Sequence, residues 1–470
     1  MIELSLADLA SIVSGDVQDA CGTAVADGTQ MVDGPVAVDS RRVVPGSIFL
    51  AMRGDTTDGH EYVQGAIAAG ASVIIAERPV EASVPVILVN DSLEALTVLA
   101  REVVSRVRSQ GKLRVLAVTG SNGKTTTKTM VRAILETVGP VVAPRESFNN
   151  HVGAPLSMLD VTADTEFLVV EMGASAKGDI ARLISIVVPD VAIVLKVGLA
   201  HAGGFGGIEE TQKAKAEIVT ELPASALAVL NADDSRVGAM ASMTRARVTT
   251  FGFSDGVDVG AKDVSTTVEG TRFTLVTGLG EYDVVLSILG EHNVMNAIAA
   301  VAATQEMGVS LDAAILALSA LPRAEHWRME LHHTPENITV INDAYNASPD
   351  SMAAALKTLA EITRGKHRAV AVLGEMSELG EYADEEHDKL GRLVVRLNID
   401  KLIVVGHAAR HIHNAAGLEG SWDGESVLVE SADVAYDLLR EVLQPGDVVL
   451  VKSSNSAGLR ILGDRIAGVS

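Results

Sequence analysis

Residues 119–125 read Thr-Gly-Ser-Asn-Gly-Lys-Thr and directly follow the apolar run 113–118. This pattern predicts a strand that turns on glycines into a helix, which presents free backbone N–H groups and the positive end of the helix dipole to phosphate. Lys124 is then placed to reach the β- and γ-phosphates of a nucleoside triphosphate, and Thr125 to bring its hydroxyl to a magnesium ion. Val118 stands where the usual P-loop has its first glycine. The loop is therefore a variant, and the alternative is an ordinary strand-to-helix turn with an exposed lysine.

The composition is typical of a large α/β protein. A chain of 470 residues is long enough for about three domains of roughly 150 residues each. Apolar residues make up 47% and aromatic residues only 3%. Such an aliphatic mixture suits parallel sheets covered by helices better than a β-sandwich.

The charge and the N-terminus limit the possible partners and location. The chain has 38 Lys and Arg against 61 Asp and Glu, a net charge of −23, which disfavours binding to nucleic acid or to anionic membrane. The single cysteine, Cys21, cannot form an internal disulfide, which fits a reducing compartment. The sequence begins without the basic region of a signal peptide, and no apolar run approaches the ~18 residues of a membrane span. We expect a cytoplasmic protein without a nucleic-acid partner or membrane span, and a monomer.

The order of predicted elements divides the chain into three parts. The first hundred residues alternate short apolar strands with helices, and the charged stretch 101–112 ends at Gly111, just before the P-loop strand. From there, 167–170 and 191–195 are predicted as buried strands of a parallel sheet, and the Thr- and Val-rich segment 248–288 as added antiparallel strands. After Pro322 the strand–helix alternation starts again. We predict a small α/β domain in 1–110, a central P-loop parallel-sheet domain in 111–322 and a doubly wound, Rossmann-like domain in 323–470.

Three further side chains are candidates for chemistry. Glu171 ends a buried apolar strand, where a carboxylate is costly unless a cation pairs with it, so we expect a metal contact. His201 precedes a glycine-rich loop, and from spacing alone a loop histidine is more often a solvated polar residue than a ligand. Lys213 and Lys215 lie in a charged helical stretch that by itself reads as a solvated face with pairs such as Glu209 with Lys213.

Taken together, these segments resemble the Mur ligase family, in the same order and over nearly the whole chain. The resemblance rests on the P-loop, the Glu171 segment, and four other stretches: 201–203, 213–217, 291–297 and 342–349. The segment Asp39-Ser40-Arg41-Arg42, with Asp58-Gly59-His60, looks like the uridine-binding first domain of the last two amino-acid-adding enzymes of that family.

The resemblance implies an ATP-dependent amide-bond ligase with Mg²⁺ as its metal. Residues 343–347 and 373–380 favour D-alanyl-D-alanine as the incoming amine and UDP-N-acetylmuramoyl-tripeptide as the acceptor, a cytoplasmic step of peptidoglycan precursor synthesis. The alternatives are another Mur-type ligase, such as the tripeptide-forming enzyme or a folyl-polyglutamate-like synthetase, and a P-loop switch protein that does not ligate. Hinge closure near Gly111 and Leu321 is expected, because two substrates on separate domains must meet.

The resemblance also assigns residues. It implies nucleotide contacts by the P-loop, by Asn296 at adenine, Arg328 at phosphate and Asp343 at ribose; the P-loop residues are Gly120, Ser121, Asn122, Gly123, Lys124, Thr125 and Thr126. It implies that Thr125, Glu171, His201 and Lys215 serve the metal, with Lys215 carbamylated, and that Lys124, Lys215 and His201 are catalytic. The implied substrate contacts are Ser40, Arg41, Asn149, Asn150, Tyr345, Asn346 and Lys452. Residues 452–456, Lys-Ser-Ser-Asn-Ser, stand where some relatives have Lys-Gly-Ser-Arg, and the stretch before Arg328 lacks a frequent Pro-Gly.

Overall fold

A computed structural model describes residues 1–18, 28–54, 56–144, 147–199, 206–322, 325–420 and 422–469. Within these residues the strands form sheets of five, nine and six members and one two-stranded ribbon. The sheets follow one another along the chain, and most of their neighbouring strands are parallel. The predicted α/β class with three sheet-containing parts is confirmed, whereas the exact domain limits stay predictions. Cys21, Asp55 and His201 lie outside the described residues.

The N-terminal part contains the five-stranded sheet, in the order β2-β7-β6-β5-β4, with β2 antiparallel to β7. Its strands are β1 Leu4–Ser5, β2 Asp16–Gln18, β3 Met31–Val32, β4 Val36–Ala37, β5 Ile48–Ala51, β6 Val73–Ala76 and β7 Val86–Leu88. Its helices are α1 Leu6–Ile12, α2 Val63–Ala68 and α3 Ser92–Ser109, with 3₁₀ turns at Ser40–Arg42 and Gly59–Tyr62. Ser5 accepts a hydrogen bond from the backbone N–H of Asp8 and so caps α1. Helix α3 ends just before Gly111, as the break in the sequence pattern predicts.

The central part is built on the nine-stranded sheet, in the order β16-β15-β14-β13-β12-β11-β8-β10-β9. Its strands are β8 Arg114–Thr119, β9 Val141–Val142, β10 Phe167–Glu171, β11 Val191–Val194, β12 Leu227–Asn231, β13 Arg247–Gly252, β14 Val259–Thr267, β15 Gly270–Thr277 and β16 Gly280–Leu286. Its helices are α4 Lys124–Leu135, α5 Gly153–Met158, α6 Asp179–Ile186, α7 Ile208–Thr220, α8 Ser235–Gly238, α9 Glu291–Glu306 and α10 Leu311–Ala320, with a 3₁₀ turn at Ala239–Met243. The last three strands are the antiparallel addition predicted for residues 248–288.

Strand β8 carries the P-loop from the interior of this sheet. It lies between β10 and β11, parallel to both. Val115 and Ala117 face a core shared with α3, α5 and α6, whereas Leu116 and Val118 face a core shared with α4 and α9. Because both faces of β8 are covered, its residues are almost all apolar. The P-loop follows the carboxyl end of the strand, where ligands bind in sheets of this kind.

The C-terminal part contains the six-stranded sheet, in the order β17-β18-β22-β19-β20-β21, with β17 antiparallel to β18. Its strands are β17 Glu330–His333, β18 Thr339–Asn342, β19 Ala369–Leu373, β20 Lys401–Val405, β21 Glu425–Val429 and β22 Val448–Lys452. Its helices are α11 Pro349–Thr363, α12 Ala383–Arg396, α13 Arg410–Leu418, α14 Ala432–Val442 and α15 Leu459–Ala467, with 3₁₀ turns at Gly380–Tyr382, His407–Ala409 and Asn455–Ala457. Helix α11 begins with a capping box in which Ser348 and Ser351 bond reciprocally.

Across all the ranges that the structure describes, no helix has the length and apolarity to cross a membrane.

Candidate functional site

The P-loop glycines are required by close packing. Gly123 has φ +84°, and a Cβ there would lie 2.4 Å from Oδ1 of Asn296 on α9. Gly120 has φ +153°, and its Cβ would lie 2.9 Å from Cβ of Leu195. Ser121 fixes the loop between them, since its N–H donates to the carbonyl of Lys196 at 2.8 Å. Among the residues that the structure describes, no side chain caps the N-terminus of α4, so the first-turn N–H groups, Thr126 included, are available to an anion.

Lys124 lies half-buried over this loop. Its Nζ donates to the carbonyl oxygen of Gly120 at 2.8 Å. Burial lowers the pKa of Lys124, the carboxylate of Glu171 opposes that shift, and Arg328 adds to it. A bound polyphosphate would favour the cationic amine in the same way as Glu171 does.

Glu171 ends β10 beside the P-loop strand. The strand register pairs it with Val118, one residue before Thr119. Its Oε1 accepts from Nδ2 of Asn149 at 2.8 Å and from Oγ1 of Thr125 at 3.4 Å. Its Oε2 is buried without a hydrogen-bond partner among the described residues. A buried carboxylate oxygen left in this way is suited to a cation.

Mg²⁺ fits these groups. Within the described ranges no set of three or more His, Cys, Asp or Glu forms a metal cluster. Proteins usually hold Mg²⁺ through one or two carboxylates together with substrate phosphates. Glu171 and the hydroxyl of Thr125 supply such oxygen atoms next to the P-loop.

Lys215 is buried, in contrast to its neighbour Lys213. Only 2% of Lys215 is exposed on α7. Burial and the nearby charge of Lys124 lower the pKa of Lys215 to about 7. Lys213 lies at the surface and pairs with Glu210 at 2.6 Å, rather than with Glu209 as the sequence suggested. The solvated-face interpretation therefore holds for Lys213 and fails for Lys215, whose amine has a substantial neutral fraction near neutral pH.

A chain of amide groups fixes Asn296 against the P-loop. Its Nδ2 donates to Oδ1 of Asn293 at 3.0 Å, and Nδ2 of Asn293 donates to the carbonyl of Leu289 at 2.8 Å. His292 lies next to them, and burial lowers its pKa to about 4, against the opposing charge of Asp343. Asn293 was missed from the sequence. The three-residue spacing from Asn296, which places both on one helix face, is the signal that could have found it.

Arg328 reaches from the C-terminal part to the P-loop. One terminal nitrogen of its guanidinium donates to Oγ1 of Thr125 at 3.2 Å and to Oγ of Ser147 at 3.0 Å. Its guanidinium also lies over the ring of Tyr345 at 4.3 Å. Ser147, which also contacts Thr125 at 3.0 Å, has no recognisable signal in the sequence.

Asp343 and Lys452 form a buried ion pair. Nζ of Lys452 lies 2.7 Å from Oδ2 of Asp343 and donates to the carbonyl of Asn346 at 3.0 Å. Oδ1 of Asp343 accepts from the backbone N–H of Met329 at 3.0 Å. The structure thus brings the two residues together behind Tyr345 and Asn346, and Lys452 is engaged with protein groups.

Two cavities adjoin these elements. A cavity of about 280 Å³ at the carboxyl ends of β18, β19 and β22 is lined by Asn346, Ala347, Ser348, Ser377, Glu378, Leu379, Ser454, Asn455 and Ser456. A larger one, of about 530 Å³, lies between Lys196 to Leu199 on the central sheet and helices α11 and α12. Its charged lining includes the ion pair of Lys196 with Asp350, at 2.7 Å.

The predicted sugar contacts Ser40 and Arg41 lie in a 3₁₀ turn of the N-terminal part. Arg41 is exposed and pairs with Asp39 at 2.6 Å, which holds the pKa of Asp39 at about 2. Its neighbour Arg42 lies 5.4 Å from the ring centroid of Phe148 and so connects the Ser40 turn to the segment before α5.

The two predicted asparagines of that segment point in different directions. Oδ1 of Asn150 accepts from the backbone N–H of Gly153 at 2.7 Å, a contact at the start of α5. Asn149 instead turns to Glu171, as described above. Asn149 therefore lies with the carboxylate of Glu171 and away from the start of α5.

Comparison with known proteins gives the same family along the whole chain. Three family models match: the Mur ligase family catalytic domain over residues 35–105, the Mur ligase middle domain over 118–304, and the Mur ligase glutamate ligase domain over 327–455. The UDP-N-acetylmuramoyl-tripeptide–D-alanyl-D-alanine ligase of Mycobacterium tuberculosis is 42% identical over 504 residues, covering 99% of this chain and 98% of the relative.

Solved structures agree with the sequence relatives. The crystal structure of MurF from Acinetobacter baumannii superposes with a TM-score of 0.87 at 29% identity and covers 99% of both chains. The MurF ligase from Thermotoga maritima in complex with ADP gives a TM-score of 0.81 at 29% identity, over 93% of this chain and 97% of that one.

Proposed function

The chain belongs to the Mur ligase family, and on that premise we propose that it joins D-alanyl-D-alanine to UDP-N-acetylmuramoyl-tripeptide at the expense of ATP. The full-length relatives at up to 42% identity carry this activity in their names. The observation that carries the proposal in this chain is the meeting of Arg328 with Thr125 at 3.2 Å. Through this contact Arg328 of the C-terminal domain reaches the P-loop. Such an approach is required when the two substrates bind to separate domains.

ATP is the activating substrate. A carboxylate and an amine do not condense in water without activation, so the terminal carboxylate of the tripeptide attacks the γ-phosphorus of ATP and ADP leaves. The first-turn N–H groups of α4 bind the phosphates, and the cation of Lys124 stabilises the negative charge of the transferring group. The product of this step is an acyl phosphate.

The amine of the dipeptide then attacks the acyl carbon. The tetrahedral intermediate expels inorganic phosphate, and the amine loses a proton to solvent as the amide forms. The hydroxyl-lined cavity of about 280 Å³ supports a dipeptide position at Asn346 and its neighbours, because Ser348 on its wall hydrogen-bonds to Asn122 of the P-loop at 2.8 Å. Hydroxyl and amide groups that line a cavity beside the P-loop suit a small zwitterionic peptide.

Glu171 and Thr125 are the groups that would hold Mg²⁺, with His201 as a further predicted ligand outside the described residues. When bound, the metal neutralises phosphate charge in the transferring group. Lys215 fits a carbamate, because a neutral lysine amine attacks CO₂, forms an N–C bond and releases one proton. The lowered pKa of Lys215, about 7, supports this modification. The carbamate would replace a buried, partly protonated amine near Lys124 by an anion.

The remaining assignments are proposed together. Asn296 and Asp343 contact adenosine, Ser40 and Arg41 contact the UDP-sugar, and Asn150 lies toward the muramoyl peptide. We further propose a cytoplasmic location and a monomer. The acidic surface supports a freely soluble enzyme of this kind, with a net charge of −23.

Phosphate release from ATP tests this function directly. Purified protein is given ATP and Mg²⁺ with each of the two other substrates omitted in turn, and Lys124→Ala serves as the inactive control. Release that requires both substrates and Lys124 is expected. Release with the nucleotide sugar and a different amine would assign another step of the family, and nucleotide binding without turnover on any amine would favour a switch protein.

A further inference from the structure

Arg328 is held between two residues in a rarely adopted backbone conformation. Trp327 has φ +59° and Met329 has φ +51°, and neither is a glycine. A bulky residue enters this region only when its surroundings hold it there, and such residues concentrate at functional sites. The question is therefore which contacts fix these three residues in this form.

Two contacts from within the C-terminal domain hold the flanks of Arg328. Indole Nε1 of Trp327 donates to both carboxylate oxygens of Asp464 on α15, at 2.9 and 3.1 Å. The N–H of Met329 donates to Asp343 at 3.0 Å. The indole ring is also covered on its faces, by His326 with ring centroids 4.0 Å apart and by the guanidinium of Arg460 at 5.1 Å.

The same carboxylate also fixes the residue before Asp343. Nδ2 of Asn342 donates to Oδ1 of Asp464 at 2.9 Å and to the carbonyl of Arg460 at 2.9 Å. Asn342 is the last residue of β18, and its side chain is fully buried. Asp464 therefore bonds to the chain neighbours of two residues, Arg328 and Asp343.

The close approach of α15 to β18 depends on Gly463. A Cβ at this position would lie 2.4 Å from Nδ2 of Asn342. The pair Gly463-Asp464 thus brings a small residue and an acceptor together at the point where the helix crosses the strand end. A larger residue before Asp464 would push the carboxylate away from both donors.

We propose that Asp464 is a positioning residue for the nucleotide site: its carboxylate, which receives hydrogen bonds from Trp327 and Asn342, fixes the neighbouring Arg328 and Asp343 where they contact ATP. This rests on the proposed function for the roles of Arg328 and Asp343. The side-chain hydrogen bonds of Asp464 within the described residues go to Trp327 and Asn342, and none of them joins it to the P-loop. Its effect passes through the strained 327–329 segment, and its loss is expected to change nucleotide affinity more than dipeptide affinity.

ADP titration of the full-length protein, without the other substrates, tests this. Asp464→Ala is expected to weaken ADP binding about tenfold, since the hydrogen bonds lost involve a charged acceptor. The KM for ATP should rise by a similar factor, with a smaller change in the KM for D-alanyl-D-alanine, whose proposed cavity is one step further away through Lys452 and Asn346. Asp433→Ala is the matched control, because Asp433 on α14 forms an exposed ion pair with Arg465, the neighbour of Asp464 on α15. This variant should bind ADP as the wild type does.

A second variant removes only the donor. Trp327→Phe keeps an aromatic ring and loses the indole N–H, so it should also weaken ADP binding. The ADP affinity of Asp464→Asn should lie between those of Asp464→Ala and the wild type. In a Trp422→Phe background Trp327 is the single tryptophan, and Asp464→Ala should shift its fluorescence emission.

The outcomes separate this proposal from the proposed function. Wild-type ADP affinity in folded Asp464→Ala overturns the positioning role, as does equal weakening by Asp433→Ala. If Asp464→Ala does not fold, unchanged ADP affinity in Trp327→Phe overturns it. A wild-type protein that binds ADP but never ligates contradicts the proposed function alone.

Discussion

Ser348, the residue that caps helix α11, donates a hydrogen bond from its Oγ to Oδ1 of Asn122 in the P-loop at 2.8 Å. The two residues are 226 positions apart in the sequence. The same helix start brings Asp350 to Lys196 at 2.7 Å, at the edge of the central sheet. The C-terminal domain is thus docked on the phosphate-binding loop by its helix N-terminus, and a change at Ser348 reports on that docking.

Ser348→Ala should lower both stability and activity. Loss of a helix cap costs about 1 kcal/mol in the free energy of unfolding, and loss of the bond to Asn122 should reduce kcat/KM for ATP about three- to tenfold. Urea unfolding and steady-state kinetics measure the two effects. Ser431→Ala is the control, since Ser431 caps α14 in the same way. Equal kinetic losses in both variants would mean that the contact with Asn122 has no functional part.

Glu171→Gln should raise the Mg²⁺ concentration that activity requires. The variant replaces the buried carboxylate, whose Oε2 lacks a partner in the described structure, by a neutral amide of the same size. Half-maximal phosphate release is expected at about tenfold more Mg²⁺ or higher, measured at fixed ATP and both substrates. Glu136→Gln, which changes an exposed pair with Arg132, should leave the Mg²⁺ dependence unaltered. An unaltered dependence in Glu171→Gln would exclude it as a metal ligand.

The sequence was most informative where one residue pattern defines both structure and chemistry. The spacing of Gly120, Gly123 and Lys124 predicts the P-loop. The position of a carboxylate at the end of an apolar strand predicts Glu171 as a site residue. The contacts of Ser348 and Asp464 could not be predicted, because they depend on how separate elements dock. Lys215 was misjudged from its charged neighbours alone, since burial is a property of the packed helix and the sequence pattern shows only a polar surface.

Helices α13 and α15 were also absent from the sequence prediction. Helix α13, residues Arg410–Leu418, has only two large apolar side chains, Ile412 and Leu418, and α15 begins after Gly458 with φ +71° and without a side-chain cap. Each is nine residues long, too short to be stable without tertiary packing. Their formation depends on the sheet that they cover.

Lys215→Met should abolish ligation and yet stabilise the fold near neutral pH in CO₂-free buffer. The folded pKa of Lys215 is lowered to about 7, so above that pH the unfolded chain binds one more proton than the folded chain. The free energy of unfolding of the wild type should therefore be lowest and level below pH 7, and rise from about pH 7 toward the ordinary lysine range. Methionine removes this penalty, with an expected gain on the order of 3 kcal/mol at pH 7.

Lys213→Met is the matched control on the same helix. Lys213 is exposed, and its bond to Glu210 raises its pKa, so the variant should keep activity and gain no stability. Denaturant unfolding at a series of pH values separates the two variants. The difference in the free energy of unfolding between Lys215→Met and the wild type should shrink as pH increases beyond 7. A constant difference would contradict the lowered pKa of Lys215, and with it the carbamate.

Gly463→Ala and Gly417→Ala should change stability in opposite directions, although both add one methyl group to a short helix of the C-terminal domain. At Gly463 the new Cβ would lie 2.4 Å from Nδ2 of Asn342, whereas at Gly417 it meets nothing within 4 Å. The first should lower the free energy of unfolding by about 1–3 kcal/mol through overpacking. The second should raise it by up to about 1 kcal/mol, since alanine favours a helix over glycine. Thermal unfolding measures both. Because Gly463 also sets the distance from Asp464 to Asn342, the first variant should weaken ADP binding as well; an equal melting temperature for the two would mean that α15 and β18 do not approach so closely.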